Sequence, residues 1–495
     1  MVSEARAPDD EQSTTTSAGS DVHGVPLVSA AVSGLVVAWY REDTSRIGEL
    51  AIVPDDGSMV ILGRGALDTE PRMRFFRPRP GRLEPTEPLA SRGLSRRQLE
   101  LVSDGDGLRV RRVGRCPMRI NGVECDEGVL SPGDTLAFRQ ELVMLFVRRP
   151  ACPPALTHHR PASSEPFGGA DSLGILGESP AAWRLRDELA FAALSGRHVL
   201  LVGDSGTGKE LAAHAIQRLS SRADRPFVAR NAATLPPSLI DAEMFGNLKN
   251  YPNPGTPERS GLVGQANGGF LFLDEIGELP LELQSHLLRV LDSGGEYQRL
   301  GESASRRSDF RLLAATNRDP AELRHDLLAR LTVKVELPPL SERREDIPLL
   351  VRHLVTKAAE GDSEFVRRFT ERVPGGLTSA KVDAKLIDAL LRWDYIGNVR
   401  ELEALLWKAI GASTGEFIAL PDGLTNKPVV RNATVAAGES LQRTRNREPG
   451  EEEIREALRL TGGSVAKAAT LLGLSSRYAL YRMLVKLRIE PDEGA

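Results

Sequence analysis

The stretch Gly203-Asp204-Ser205-Gly206-Thr207-Gly208-Lys209 has the residue types and spacing of a phosphate-binding loop. It lies within HVLLVGDSGTGKELAAHAIQRL, where an apolar strand pattern precedes the glycines and an amphipathic helix pattern follows them. Glycines let backbone N–H groups approach an anion, the helix N-terminus favours negative charge, and Lys209 reaches the β- and γ-phosphates of a nucleotide. A glycine turn that matched by accident would lack this context. The residue after the lysine, Ser or Thr in the general motif, is Glu210, so Mg2+ must find its ligands elsewhere. In GGFLFLDEIGEL the apolar run 270–273 delivers Asp274 and Glu275 at a strand end. Asp274 would hold Mg2+ through water, and Glu275 would polarise the attacking water. An acidic pair closing a strand is often only a solvated turn; downstream of a phosphate loop the catalytic reading is the better one. RLLAATNRD ends another apolar run with Thr316 and Asn317, placed to sense a γ-phosphate. ATP and Mg2+ are the expected cofactors, and ATP hydrolysis to ADP and phosphate the expected reaction.

Such side chains need a sheet behind them. Between two Pro-, Gly- and Ser-rich stretches, 148–172 and 425–450, strand-like runs alternate with helical patterns and then give way to a helical tail. Before the first stretch, short apolar runs such as LVVAWY, MVILG, LRVRRV and LVMLFV are separated by Gly, Asp and Pro turns, which predicts an all-β sandwich. After the second come short helical patterns. The expected order is a disordered 1–27, a β-sandwich over 28–149, a linker over 150–172, an α/β unit over 173–340, a helical lid over 341–412, a linker over 413–450 and an all-α helix-turn-helix over 451–489.

With 495 residues, 41% of them hydrophobic and 27% charged, the chain can bury several cores. The longest weakly apolar stretch, 28–40, is too short to span a bilayer. The first residues are acidic and polar rather than signal-like, and Cys116, Cys125 and Cys152 show no metal-ligand spacing; a cytoplasmic location is expected. A net charge of -4 excludes a globally basic nucleic-acid coat, yet 461–489 contains basic residues and no acidic ones. That local patch fits DNA binding.

GDSGTGKE, GGFLFLDEIGELP, LLAATNRD, LPPLSERREDIPLL and GNVRELE together resemble the AAA+ domain of bacterial enhancer-binding proteins, the sigma-54-dependent activators, over about 173–412. Glu210 belongs to that family's phosphate loop. The resemblance implies a ring, usually a hexamer, with ATP between subunits and Arg324 and Arg330, in LRHDLLARLTV, reaching the neighbour's γ-phosphate. It implies that Asn231 hydrogen-bonds the catalytic Glu275 and that Arg400 senses nucleotide from the lid. The family's Trp-Pro before Gly-Asn is Tyr395-Ile396 here, which implies a less rigid lid loop. Where the family carries GAFTGA, the loop that pushes on sigma-54, an ungapped alignment places Asn250, Tyr251, Pro252, Asn253, Pro254 and Gly255. Two prolines there make a stiffer tip.

The C-terminal segment resembles Fis-type DNA-binding domains, implying that helix 475–487 enters the major groove with Arg477 and Tyr478 while Arg482 and Lys486 contact phosphates. The N-terminal segments ILGRG, LSRRQLEL and MRINGVECDEGVLSPGDTLAF resemble forkhead-associated domains, which bind phosphothreonine. Arg64, Ser95 and Arg96 match phosphate-contacting positions and Asn121 the residue that holds the peptide backbone; the family's histidine after SRR is Gln98. The combined expectation is a phosphoprotein sensor, an ATP-driven motor and a DNA reader that acts on sigma-54 RNA polymerase. Two alternatives stay open: a DNA-binding regulator that uses nucleotide only to set its oligomeric state, and a phosphopeptide-recruited adaptor whose ATPase acts on another partner.

Overall fold

The computed structural model describes residues 31–65, 71–161, 165–236, 238–361, 364–372, 378–424 and 450–460, with Val465, Ala468, Leu472, Leu480 and Leu484. Residues 1–27 and the expected DNA contacts Arg477, Tyr478, Arg482 and Lys486 lie outside the described residues. The chain divides into two compact units, 1–433 and 434–495. Among the described residues no helix is long and apolar enough to cross a membrane.

The first unit begins with two antiparallel sheets. Strands β1 (Ala31–Tyr40), β2 (Leu50–Val53), β3 (Met59–Leu62), β4 (Phe75–Arg79), β5 (Arg82–Thr86), β6 (Leu99–Asp104), β7 (Gly107–Arg112), β8 (Met118–Ile120), β9 (Val123–Cys125), β10 (Glu127–Leu130), β11 (Thr135–Phe138) and β12 (Leu142–Pro150) follow in turn. They form an eight-stranded sheet, ordered β5-β4-β2-β1-β12-β11-β8-β9, and a four-stranded sheet, β10-β7-β6-β3. In β7, GLRVRR, Leu108 and Val110 enter the core while Arg109 and Arg111 face water, the period-two alternation of a one-sided sheet. Strand β1 does not alternate: all of Val32–Tyr40 is buried. Leu35 and Val37 enter the sandwich core, whereas Val36 and Ala38 point the other way, into a second apolar cluster.

That second cluster is the core of the helical lid. Val36, Ala38, Trp39, Leu50, Ala137, Val143 and Leu145 of the large sheet, with Ile47 from the turn before β2, share it with Leu349, Val351, Ile387, Leu391 and Leu402. The composition of 150–172 marks a linker, but its described residues 150–161 and 165–172 pack in part against the sandwich: Ala151 and Cys152 are buried, and Phe167 lies under Arg77 and Arg79.

Downstream, helix α1 (Pro180–Ser195) starts at the Ser179 cap, and β13 (Val199–Val202) leads through the phosphate loop into α2 (Lys209–Leu219). Then come β14 (Phe227–Asn231), α3 (Ile240–Phe245), α4 (Gly261–Gln265), β15 (Phe270–Asp274), α5 (Leu281–Asp292), the short hairpin β16 (Glu296–Tyr297) and β17 (Arg306–Arg307), β18 (Arg311–Thr316), α6 (His325–Arg330) and β19 (Val333–Glu336). Their five-stranded parallel sheet has the order β14-β15-β18-β13-β19. Apolar layers on both faces explain the continuous apolar runs VLLV and FLFL. The lid contains α7 (Ile347–Glu360), α8 (Glu364–Arg367), the pair β20 (Thr370–Arg372) and β21 (Thr378–Ala380), α9 (Ala384–Leu391) and α10 (Asn398–Ala412). Its core continues past residue 412 to Ile418 and Leu424, so the start of the second expected linker is part of the lid.

The second unit is described in part: in α11 (Glu451–Leu460), Ile454, Ala457 and Leu458 form one apolar stripe that packs with Val465, Ala468, Leu480 and Leu484.

Candidate nucleotide site and flanking surfaces

At the C-terminal edge of the parallel sheet, β13, β15 and β18 deliver the loop, the acidic pair and Thr316-Asn317 side by side. Gly206 and Gly208 have φ of 79° and 102°, and a side chain at Gly208 would point into open space, so the loop keeps a cradle clear in front of α2. The first N–H groups of α2 have no intrahelical acceptor and face that cradle. Lys209 is 7% exposed, and its Nζ donates to the carbonyls of Gly203 (3.0 Å) and Asp204 (3.4 Å). The same Nζ lies 3.9 Å from Glu275 Oε1. Glu275 sits in the left-handed region, φ 52°, which turns its carboxylate back over the sheet edge, where Oε2 accepts the Asn317 N–H at 3.3 Å. A buried cation, a carboxylate and the Asn317 backbone N–H thus surround one opening, a fit for a nucleoside triphosphate.

Thr316 and Asn317 divide their roles. The Thr316 hydroxyl is buried and accepts the Arg318 N–H at 3.0 Å, and the Thr316 carbonyl accepts the Gly203 N–H, so Thr316 anchors the loop. Asn317 is the one at the opening. Asp274 accepts the Glu275 N–H at 3.0 Å, and no cluster of three or more His, Cys, Asp or Glu occurs among the described residues. Mg2+ at Asp274 would take its remaining ligands from phosphate oxygens and water, the usual habit of that ion. Glu210 is exposed in the first turn of α2, where it suits the helix dipole.

Asn231 is paired in register with Asp274, but its carboxamide oxygen caps the 232–234 turn by accepting the Ala233 N–H at 2.9 Å. The expected hydrogen bond from Asn231 to Glu275 is not formed; Lys209 and the Asn317 N–H hold that carboxylate instead. Arg324 and Arg330 flank α6 on the outer surface, paired with Asp326 (2.7 Å) and Asp292 (2.5 Å). These exposed pairs are weak and leave both guanidiniums available to a neighbouring subunit.

The lid closes over the loop. Arg400 donates from Nη1 to Ser205 Oγ at 3.0 Å. Asn398, absent from the sequence expectations, is 1% exposed with φ 51°; its Nδ2 donates to the Ser205 carbonyl (3.0 Å) and its Oδ1 accepts the Leu340 N–H (2.7 Å). Val399 donates to the Gly206 carbonyl at 3.1 Å, and a Cβ on Gly206 would stand 2.2 Å from the Gly397 oxygen. Arg343, also missed, donates to the Thr207 carbonyl at 3.4 Å, and burial holds its pKa below the usual guanidinium range. The expected looseness at Tyr395-Ile396 is not found. Tyr395 is buried with its hydroxyl on the Leu390 carbonyl (2.9 Å), and Glu401 accepts the N–H groups of Ile396 and Gly397 at 2.8 Å each.

The loop 250–255 is a closed turn. Asn250 donates its N–H to Thr256 O (2.8 Å) and accepts the Gly255 N–H on Oδ1 (3.0 Å). Buried Asn247 donates to the carbonyls of Leu248, Tyr251 and Pro257. Tyr251, 43% exposed, lays its ring on Gly301, where a Cβ would come within 2.6 Å of it. Pro252, Asn253 and Pro254 form the exposed tip, and Arg299 pairs with Glu258 at 2.6 Å, tying this loop to the segment between β16 and β17.

In the sandwich, Arg64 donates its N–H to the Ser95 carbonyl at 3.1 Å, and a Cβ on the preceding Gly63 would meet the Arg96 oxygen at 2.0 Å. Arg64, Ser95 and Arg96 are therefore adjacent. Gln98 is fully buried and ties the loop together: its Oε1 accepts the Ser95 N–H (3.2 Å) and its Nε2 donates to the Cys116 carbonyl (2.7 Å). Asn121 does not join the trio. It sits at the far end of β8 from the Arg115–Ser95 contact, and its side chain is committed to Asp134 (2.9 Å) and to the Thr135 N–H (3.0 Å).

A parallel sheet of this order with a phosphate loop, a terminal acidic pair and a helical lid defines an AAA+ ATPase fold. Residues 175–336 match the family model of the sigma-54 interaction domain and 341–431 that of an AAA+ ATPase lid domain. The transcriptional regulatory protein ZraR of Salmonella typhimurium is 39% identical over 340 residues, 66% of this chain and 73% of that protein. The regulatory protein AtoC of Escherichia coli is 36% identical over 325 residues, covering 62% and 67%. Crystalline NtrX from Brucella abortus with ADP shares 28% identity over 63% of this chain and 70% of its own, with a TM-score of 0.43. The chain belongs to the sigma-54-dependent AAA+ transcriptional regulators.

Proposed function

We propose that this chain hydrolyses ATP in a homo-oligomeric ring and uses the cycle to activate sigma-54 RNA polymerase from DNA-bound sites, under control of a phosphothreonine-bearing protein. The observation that carries the ATPase step is the convergence of Lys209, Glu275 and the Asn317 N–H on one opening, with Arg400 above it. Bound Mg2+ supplies Lewis-acid charge at the phosphates. Lys209 neutralises charge on the γ-phosphate side, Glu275 orients and polarises water, and Asp274 holds the metal. Arg324 and Arg330, exposed on α6, are suited to complete the neighbour's site and neutralise charge developing during phosphoryl transfer.

Control through phosphothreonine rests on the adjacency of Arg64, Ser95 and Arg96, a guanidinium and hydroxyl set that matches a phosphate dianion. DNA binding rests on the basic 461–489 sequence. The closed turn at 250–255 favours a second reading, in which nucleotide sets the oligomeric state of a DNA-binding regulator and sigma-54 is not remodelled. In the first reading, exposed Tyr251 supplies the aromatic contact.

Glu275→Gln tests the catalytic assignment. Nucleotide affinity is expected to survive while turnover falls about a hundredfold or more, the usual range for loss of a general base. Retained turnover removes Glu275 from that role.

A further inference from the structure

We infer that the seam between the β-sandwich and the lid is a binding site for a compact phosphate-bearing polyanion, separate from the nucleotide opening and from the Arg64 trio. A cavity of about 310 Å3 opens there, lined by Arg119, Gly122 and Arg139 from the sandwich and by Lys385, Asp388 and Arg392 from α9 and its C-terminal end. Four cations face one carboxylate. Asp388 is already committed twice, accepting the Thr135 hydroxyl and pairing with Arg392 at 2.9 Å. Two acids close in sequence to the lining are occupied as well: Asp134 accepts from Asn121 and the Ser131 N–H, and Asp383 caps α9 through the Lys385 N–H; Glu124 stands opposite Arg119 in the β8–β9 register but is not among the residues lining the cavity. Among the described residues Arg119, Arg139 and Lys385 make no ion pair.

Unpaired like charges brought together across an interface oppose its closure, by an amount that a bound counterion removes. Here the interface is nonetheless closed, by a shared apolar core. Gly122 shows how tightly the lid approaches: with φ 81°, a Cβ there would stand 3.0 Å from Arg392 Nη2. Arginine forks from both sides match phosphate oxygens, and the volume is at the small end of ligand pockets, which suits a diphosphate group better than a whole nucleotide. The ligand would bridge sandwich and lid, and its binding would strengthen their docking.

The test uses the full chain with saturating Mg2+ and ADP, so that the phosphate loop is filled, and inorganic pyrophosphate as the probe in calorimetry. The expected result is a binding isotherm that survives Arg64→Ala and weakens at least about tenfold in Arg119→Ala/Arg139→Ala. A second measurement guards against a misfolded variant. In low salt without pyrophosphate the double variant should melt no lower than wild type, because repulsion has been removed, and it should lose the rise in melting temperature that pyrophosphate gives wild type. Absence of binding at millimolar pyrophosphate, or binding unchanged by the double substitution, overturns the proposal. Binding lost in Arg64→Ala but kept in the double variant also overturns it and assigns the anion to the trio.

Discussion

Asn398 Nδ2 lies 3.0 Å from the carbonyl oxygen of Ser205, so a lid residue with positive φ holds the phosphate loop directly. With its Oδ1 on the Leu340 N–H, this side chain joins the loop, the start of the lid and α10 at one buried point. Asn398→Ala leaves the buried Leu340 N–H without a partner, at about 1–3 kcal/mol, frees the part-buried Ser205 carbonyl, and also strains the left-handed position. Nucleotide affinity is expected to fall about tenfold or more, read with a fluorescent ADP analogue, while the Lys209–Glu275 geometry is untouched. Unchanged affinity would show that the lid is held by other contacts.

Gly206→Ala attacks the same latch from the loop side. Its Cβ would overlap the Gly397 oxygen at 2.2 Å, and φ 79° already excludes most side chains. Lid closure is expected to fail, with ATP turnover reduced and protease sensitivity near 397 increased. A variant as resistant as wild type would contradict this.

The sandwich and lid should melt as one body. Because Val36, Ala38, Trp39, Leu50, Val143 and Leu145 complete the lid core, a fragment beginning at residue 173 would expose the facing surfaces of α7 and α9. Such a fragment is expected to bind a hydrophobic dye and to unfold well below the full chain. A single full-chain transition accompanied by an equally stable fragment would rule out the shared core. Thr135→Val, which removes the hydroxyl that donates to Asp388, is expected to cost about 1–2 kcal/mol in urea unfolding.

His198 sets a pH dependence. Its Nδ1 accepts the Leu312 N–H at 3.0 Å, and burial, reinforced by Arg311, Arg197 and Arg222, pushes its pKa down to about 4. The folded value lies below the unfolded one, so the unfolded chain takes up the proton first. The contribution is complete above about pH 6.5 and is lost as pH falls toward 4, on the order of 3 kcal/mol. His198→Asn, which can still accept from Leu312, should show a shallower loss of stability between pH 7 and 5; an identical slope would exclude His198 as its source.

Local chemistry was legible in the sequence where contiguous residues carry it. The run from β13 through Lys209 into α2, and Asp274-Glu275 closing β15, need only strand and helix periodicity to be placed. Long-range relationships were not. Asn398 looks like any residue opening a helix until Ser205 is brought 193 positions along the chain to meet it. The apolar run in β1 reads as one strand, but its two faces serve two cores, and only the fold reveals the second. Asn121 has the sequence context of a peptide contact, but its bonds to Asp134 and the Thr135 N–H are long-range relationships that only the fold reveals. Gln98, which departs from the histidine of the resembled family, bridges the Ser95 N–H and the Cys116 carbonyl from a buried position that the sequence did not reveal.

The most direct measurement is capture of sigma-54 by the full chain trapped with ADP and aluminium fluoride, beside a variant carrying GAFTGA at 250–255. A complex with the natural loop, abolished by Tyr251→Ala, is the expected result. Capture by the grafted variant alone, with both proteins assembled as rings, would contradict activation of sigma-54 and leave nucleotide the role of setting oligomeric state.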